Sequence, residues 1–170
     1  MSISPEKPKV LKVDSKGIPA ELKSLDQWVS WRLETVGEGK WTKVLYIPGG
    51  LRRASSTNPN SWRSLSMALN DIAPGKKGRD GIGFVLTLDS RYVVIDLDHV
   101  IEHDRIDAPA QEIIDRFGSY AELSPSGTGV HIWCTGVLPD GKKGGRKGNV
   151  EMYSAGRFMT VTGRPIGGAR

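Results

Sequence analysis

The chain has 170 residues, the length of one ordinary domain, and 38% of them are hydrophobic, which is enough for a packed core. Its single cysteine excludes an internal disulfide and a zinc site built from cysteines. No signal peptide or membrane-spanning run is present, so we expect a cytoplasmic protein without a membrane partner. The net charge of +5 is compatible with a polyanionic partner but does not establish one.

Strands and helices are predicted in mixed order. Residues 1–17 are polar and interrupted by two prolines, which predicts a flexible lead-in before a domain at 18–166. Apolar periodicity and turn residues then predict a short helix at 19–26, a hairpin of strands at 28–34 and 41–47, a helix near 64–72, strands at 82–88 and 92–97, a helix at 106–117, strands at 120–123 and 130–136, a glycine–lysine loop at 140–148, and a final hairpin at 150–153 and 157–162. This order predicts an α+β fold whose sheet carries helices on one face.

The strand in RYVVIDLDH ends in two carboxylates, Asp96 and Asp98. Because the side-chain period of a strand is two, both acids project from one face while Leu97 points to the other. Two partly buried acids repel each other, and a hard divalent cation such as Mg²⁺ supplies the compensating charge. The alternative is that Asp98 caps the strand and Asp96 pairs with an arginine.

The segment SGTGVH places two glycines and a hydroxyl directly before His131 on a strand. A glycine such as Gly127 lets backbone N–H groups approach an anion closely, and Ser126 adds a hydroxyl. We therefore expect a phosphate-binding turn with His131 as a donor at its edge. The alternative for His131 is a structural histidine in the core.

The segment VEMYSAGRFMTVT carries Glu151 among apolar residues and Arg157 on the neighbouring strand of the predicted final hairpin. One interpretation is a cross-strand ion pair, which contributes well under about 1 kcal/mol if it is exposed. The other makes Glu151 a third metal ligand and Arg157 a clamp on phosphate, because three carboxylates with two divalent ions are the usual apparatus of nucleotidyl transfer.

Two polar stretches are candidates for contacts with nucleic acid. In LRRASSTNPNSW, arginines and hydroxyls suit phosphate oxygens: Arg52, Arg53, Ser55, Ser56 and Thr57. In the glycine–lysine loop, four cations can follow a phosphate chain: Lys142, Lys143, Arg146 and Lys147. Ordinary turn chemistry and a solvated surface are the alternatives.

Three segments in order, VVIDLDHV, SPSGTGVHIW and EMYSAGRFMTVTG, resemble the three motifs of the bifunctional primase-polymerase domain. That domain belongs to the archaeo-eukaryotic primase superfamily and is frequent in phages and mobile elements. QWVSWR and ASSTNPNSW also resemble the amino-terminal half of its phage-encoded members, so the resemblance runs from about Leu25 to Gly163. Two departures are a glutamate where many relatives have aspartate as the third acid, and the lack of a zinc-binding insertion.

The resemblance implies an RRM-like catalytic sheet joined to a smaller N-terminal α/β unit, and template-directed nucleotidyl transfer by a primase-polymerase core. It implies that Asp96, Asp98 and Glu151 hold two Mg²⁺ or Mn²⁺ ions, and that Ser126, His131 and Arg157 contact a nucleoside triphosphate. The partners it implies are a single-stranded DNA template and a primer terminus. Members usually continue into a helical primase segment or a helicase, so residues 167–170 are expected to be a truncation point.

Other classes remain as alternatives. A haloacid-dehalogenase-type phosphatase would use Asp96 as nucleophile and Asp98 as acid, but the paired later acids of that class are missing. A catalytically inactive nucleic-acid-binding module with the same fold would not need all three acids. A replication nuclease with paired histidines would have to draw on three scattered ones, His99, His103 and His131.

Overall fold

The computed structural model describes residues 5–37 and 39–167, which form two large antiparallel sheets. The first sheet consists, in spatial order, of β11 (Arg157–Val161), β3 (Gly81–Leu86), β1 (Trp28–Val36) and β2 (Lys40–Tyr46). The second consists of β7 (Ala121–Leu123), β8 (Val130–Thr135), β4 (Tyr92–Leu97), β10 (Val150–Tyr153) and β9 (Gly144–Lys147). A small separate hairpin is made of β5 (Ile101–Glu102) and β6 (Arg105–Ile106).

Three α-helices accompany the sheets: α1 (Ala20–Lys23), α2 (Leu65–Asp71) and α3 (Ala108–Phe117). The Ser64 and Asp107 side chains cap α2 and α3 by accepting hydrogen bonds from backbone N–H groups in the first turn. Helix α3 ends where Gly118 adopts a left-handed conformation with φ 54°. Within the described part of the chain, no helix is long and apolar enough to cross a membrane.

The two sheets share one core. Trp28 and Phe84 from the first sheet meet Val94 and Trp133 from the second, with edge-to-face ring contacts at centroid distances of 5.3 Å for Trp28–Phe84 and 6.0 Å for Phe84–Trp133. The opposite face of the second sheet packs against α3. The predicted α+β class is therefore confirmed, and β4 is covered on both faces.

The predicted final hairpin is wrong. Strand β10 pairs with β4 and β9 in the second sheet, whereas β11 pairs with β3 in the first. The three residues Ser154–Gly156 carry the chain from one sheet to the other, and each strand finds a ladder there: four residue pairs with β4, five with β3. The first sheet, implied to be an N-terminal unit, thus includes a strand from the C-terminal part of the chain.

Two other segments differ from expectation. The predicted glycine–lysine loop contains β9, because the edge of β10 supplies hydrogen-bond partners that outweigh the low strand propensity of Gly-Gly-Arg-Lys. The later part of the predicted lead-in lies on the body of the protein: the N–H groups of Leu11 and Asp14 donate to the carbonyls of Pro125 and Thr162, both at 2.8 Å. Residues 1–4, and residues 168–170 of the predicted truncation point, lie outside the described residues.

Candidate active site

One row of five ionisable side chains crosses the whole second sheet. Each strand contributes one member, and neighbouring members are direct cross-strand partners: Glu122, His131, Asp96, Glu151 and Arg146. Because register partners project to the same side of a sheet, all five face the first sheet. We call this set the charged row. Its middle three members, His131, Asp96 and Glu151, are predicted site residues, so the pairing of the strands alone brings these three together.

His131 lies in the row between two acids and is 3% exposed. Its Nδ1 is 3.0 Å from the carbonyl oxygen of Thr160, and because a carbonyl only accepts, Nδ1 carries the proton. Its Nε2 is 3.4 Å from Asp96 Oδ1. Burial by itself would lower the pKa of His131, but the carboxylates of Asp96 and Glu122 raise this pKa above its usual value. The two carboxylates thus favour the charged form of the ring relative to a free imidazole.

The two aspartates lie in surroundings that disfavour two negative charges. Asp96 Oδ1 is buried without a hydrogen-bond partner among the described residues, since its approach to His131 lacks hydrogen-bond geometry. Burial raises the pKa of Asp98, and the nearby charges of Asp96 and Glu151 raise it further. An orphaned buried oxygen beside a second acid that resists ionisation fits a hard divalent cation. The alternative in which Asp96 meets an arginine does not hold, because its charged neighbour is His131.

Glu151 is engaged on both of its oxygens. Arg146 Nη1 lies 2.8 Å from Oε1, and the Tyr153 hydroxyl donates to Oε2 at 2.6 Å. The Arg157 guanidinium stacks on the Tyr153 ring at 4.7 Å, and the ion pair of Glu151 is with Arg146. The alternative interpretation of a Glu151–Arg157 pair is therefore wrong. Among residues 5–37 and 39–167, no three His, Cys, Asp or Glu side chains are grouped closely enough to hold a metal ion.

A cleft of about 190 Å³ opens over the charged row, between the second sheet and strand β11. Six of the predicted site residues line it: Asp96, Asp98, Ser126, His131, Glu151 and Arg157. Ser126 Oγ lies 2.9 Å from Thr128 Oγ1 in the turn before β8. Gly127 does not line the cleft; it has φ +76° and faces the Leu11 side chain, so it serves the shape of the turn.

The predicted nucleic-acid contacts do not line the cleft. Arg53 pairs with Glu34 at 3.2 Å, and the Ser55 hydroxyl lies 3.0 Å from that of Thr57. The Ser56 hydroxyl donates to the carbonyl of Gly156, which attaches this loop to the turn before Arg157. The remaining predicted cations all have exposed side chains: Arg52, Lys142, Lys143, Arg146 and Lys147.

Three ionisable residues of the site were not predicted. Lys43, on β2 of the first sheet, and Tyr153 line the cleft, and Glu122 begins the charged row. Lys43 could not be predicted from the sequence because its strand, β2, lies outside the three motifs. Tyr153 lies within the third motif, two residues after Glu151, so the period of two was the available signal.

Comparisons with known proteins indicate which proteins this chain resembles. The family described as "BT4734-like, N-terminal domain" matches residues 85–159, which include Asp96, His131 and Glu151. A DNA primase-polymerase of Nitratiruptor phage NrS-1 is 39% identical over 148 residues, which is 84% of this chain and 20% of that protein. The chain thus spans about a fifth of the length of this curated relative. The similarity confirms the resemblance to phage primase-polymerases that the ordered motifs indicated.

Proposed function

We propose that this chain, a relative of a phage DNA primase-polymerase, is a catalytic core for template-directed nucleotidyl transfer. The observation that supports the proposal is the lining of the cleft, which includes three acids and a histidine from the three motifs: Asp96, Asp98, Glu151 and His131. In the reaction, the primer 3′ oxygen forms a bond to the α-phosphorus and the bond to the leaving pyrophosphate breaks. This chemistry needs negative charge to be balanced on both sides of the phosphorus.

Asp96 and Asp98 are the residues that would hold Mg²⁺ or Mn²⁺, with Glu151 as third ligand once it exchanges Arg146 for the ion. Two divalent ions bound there would lower the pKa of the primer hydroxyl and neutralise the triphosphate. His131 Nε2 is the ring nitrogen left to donate to the triphosphate, because Nδ1 is held by Thr160. Arg157 and the Ser126 hydroxyl contribute further donors from the cleft wall.

Arg146 competes with cations for Glu151 in this proposal. Arg146→Gln is expected to tighten Mn²⁺ binding by about two- to fivefold, because a positive charge 2.8 Å from Glu151 Oε1 is removed at a half-exposed pair. Isothermal titration of the protein with MnCl₂ measures the effect. Arg116→Gln on α3 makes the same charge change behind the sheet and should leave Mn²⁺ affinity unchanged. Weaker binding in Arg146→Gln would argue that Arg146 supports the site instead of competing for it.

The exposed lysines before and on β9 are proposed to follow a single-stranded template. Replacing Lys142, Lys143 and Lys147 by alanine should reduce the slope of log K against log salt by about 0.7 for each lost phosphate contact. Fluorescence anisotropy of a labelled oligonucleotide at several salt concentrations gives this slope. The double variant Lys76→Ala/Lys77→Ala, in the connector between α2 and β3, is the control. An unchanged slope in the triple variant would assign these lysines to solvated surface.

The direct test of the proposed function is extension of a labelled primer on a DNA template, with nucleotides of both sugar types. We expect extension with Mg²⁺ or Mn²⁺ and none in the presence of a chelator. The same preparation is offered a generic phosphomonoester, because the rival phosphatase assignment requires hydrolysis of that compound. Phosphomonoester hydrolysis without primer extension would replace the proposal by the rival.

A further inference from the structure

Glu122 is a buried carboxylate with no part in the reaction just described. It is 0% exposed, and its two oxygens accept hydrogen bonds from three separate parts of the chain. Oε2 accepts from the Gly163 N–H at 2.7 Å, the Tyr120 hydroxyl at 2.9 Å and the Thr162 N–H at 3.2 Å. Oε1 accepts from the indole of Trp133 at 3.3 Å. The side chain therefore connects β7, β8 and the end of β11 through its hydrogen bonds.

A carboxylate at this place is costly. Burial raises the pKa of Glu122, although the nearby His131 and the donors Gly163, Tyr120 and Thr162 work in the opposite direction. A well-packed apolar side chain would avoid the cost of burying a charge. An apolar side chain could not, however, accept from the two consecutive backbone N–H groups of Thr162 and Gly163.

The groups that Glu122 holds lie close in sequence to the histidine of the site and to the carbonyl that fixes it. Thr160, whose carbonyl oxygen accepts from His131 Nδ1, lies two residues before Thr162. Trp133 lies two residues after His131 on the same strand and face. Glu122 Oε1 is itself 4.0 Å from His131 Nδ1, as its cross-strand partner. The carboxylate therefore binds groups on both sides of the imidazole, on β8 and just after β11.

We propose that Glu122 is a positioning residue for His131, holding β8 and the end of β11 together so that the Thr160 carbonyl fixes the imidazole at the cleft. The consequence for nucleotide binding rests on the proposed function. The orientation of the ring does not depend on the proposed function. Glu122 acts through His131 and makes no contact with substrate.

The first experiment observes the imidazole itself and needs no nucleotide. The chain has three histidines, and His99 and His103 are exposed, so a slowly exchanging imidazole N–H signal in a proton–nitrogen NMR spectrum belongs to His131. Glu122→Gln should shift or abolish this signal. The control is Ile132→Val, a buried change beside His131 on the opposite face of β8, which should leave the signal in place. An unchanged His131 signal in folded Glu122→Gln would overturn the proposal.

The second experiment is a double-mutant cycle on nucleotide use. Glu122→Gln is expected to raise the apparent KM for nucleotide about tenfold, and to add nothing in a protein that already carries His131→Ala. Effects that multiply would show that Glu122 acts independently of His131. If Glu122→Gln does not fold, Tyr120→Phe removes one donor without changing shape and should give a smaller effect of the same kind, again absent in His131→Ala. A wild-type protein that binds no nucleotide would refute the proposed function and leave the NMR result decisive for Glu122.

Discussion

Asp96→Asn is expected to reduce primer extension by about a thousandfold or more while the protein stays folded. The substitution keeps the shape of the side chain and removes its charge. Because Asp96 Oδ1 has no hydrogen-bond partner among the described residues, the amide breaks no hydrogen bond at that atom. What is lost is the central negative charge of the charged row, on which divalent-ion binding would depend. Single-nucleotide extension rates and Mn²⁺ titration are the measurements.

The matched control for this prediction is Asp89→Asn. Asp89 lies in the exposed turn before β4. Its substitution by asparagine changes the net charge by the same amount on the same stretch of chain. It should leave extension and metal affinity unchanged. Full activity in Asp96→Asn would refute the carboxylate mechanism. Circular dichroism and thermal melting show whether Asp96→Asn is folded. If it is not folded, Asp98→Asn is tested instead.

Much of the local structure could be predicted because it depends on neighbours in the sequence. The hairpin of β1 and β2 was predicted from two apolar strands around glycines, and the structure confirms it. Helix α3 was predicted from its apolar period with Asp107 at the start. The partners of β10 and β11 could not be predicted in the same way, because alternation specifies a strand and its buried face but not the strand beside it.

The candidate site was predictable to the extent that it follows the motifs. Each motif marks a strand, and the structure adds the register that aligns Asp96 with His131 and Glu151. Glu122 had no comparable signal: in the short strand Ala-Glu-Leu, an acid between apolar residues looks like the solvent-facing member. Its burial comes from the end of β11, which is 40 residues away in the chain and folds over it. A local sequence pattern cannot predict burial by a segment that is distant in the chain.

His131→Ala is expected to lower kcat/KM for nucleotide by about ten- to a hundredfold, mainly through a higher KM, with DNA affinity unchanged. The reason is that an imidazole donor is removed from the wall of the proposed triphosphate site. Nucleotide titrations at a fixed primer–template concentration give KM and kcat separately. Anisotropy with the same DNA measures the template affinity.

The competing interpretation makes His131 a structural core residue, and its 3% exposure is what that role would also produce. The two interpretations can be distinguished because they predict changes in different quantities. A core role predicts a large loss of thermal stability, about 2 kcal/mol or more, with normal KM in the protein that remains folded. A triphosphate role predicts a higher KM even at temperatures where the variant is fully folded. His103→Ala, which removes an exposed histidine, is the control and should change neither KM nor stability. A normal KM in folded His131→Ala would assign the ring to the core and leave Arg157 and Ser126 as the proposed donors to the triphosphate.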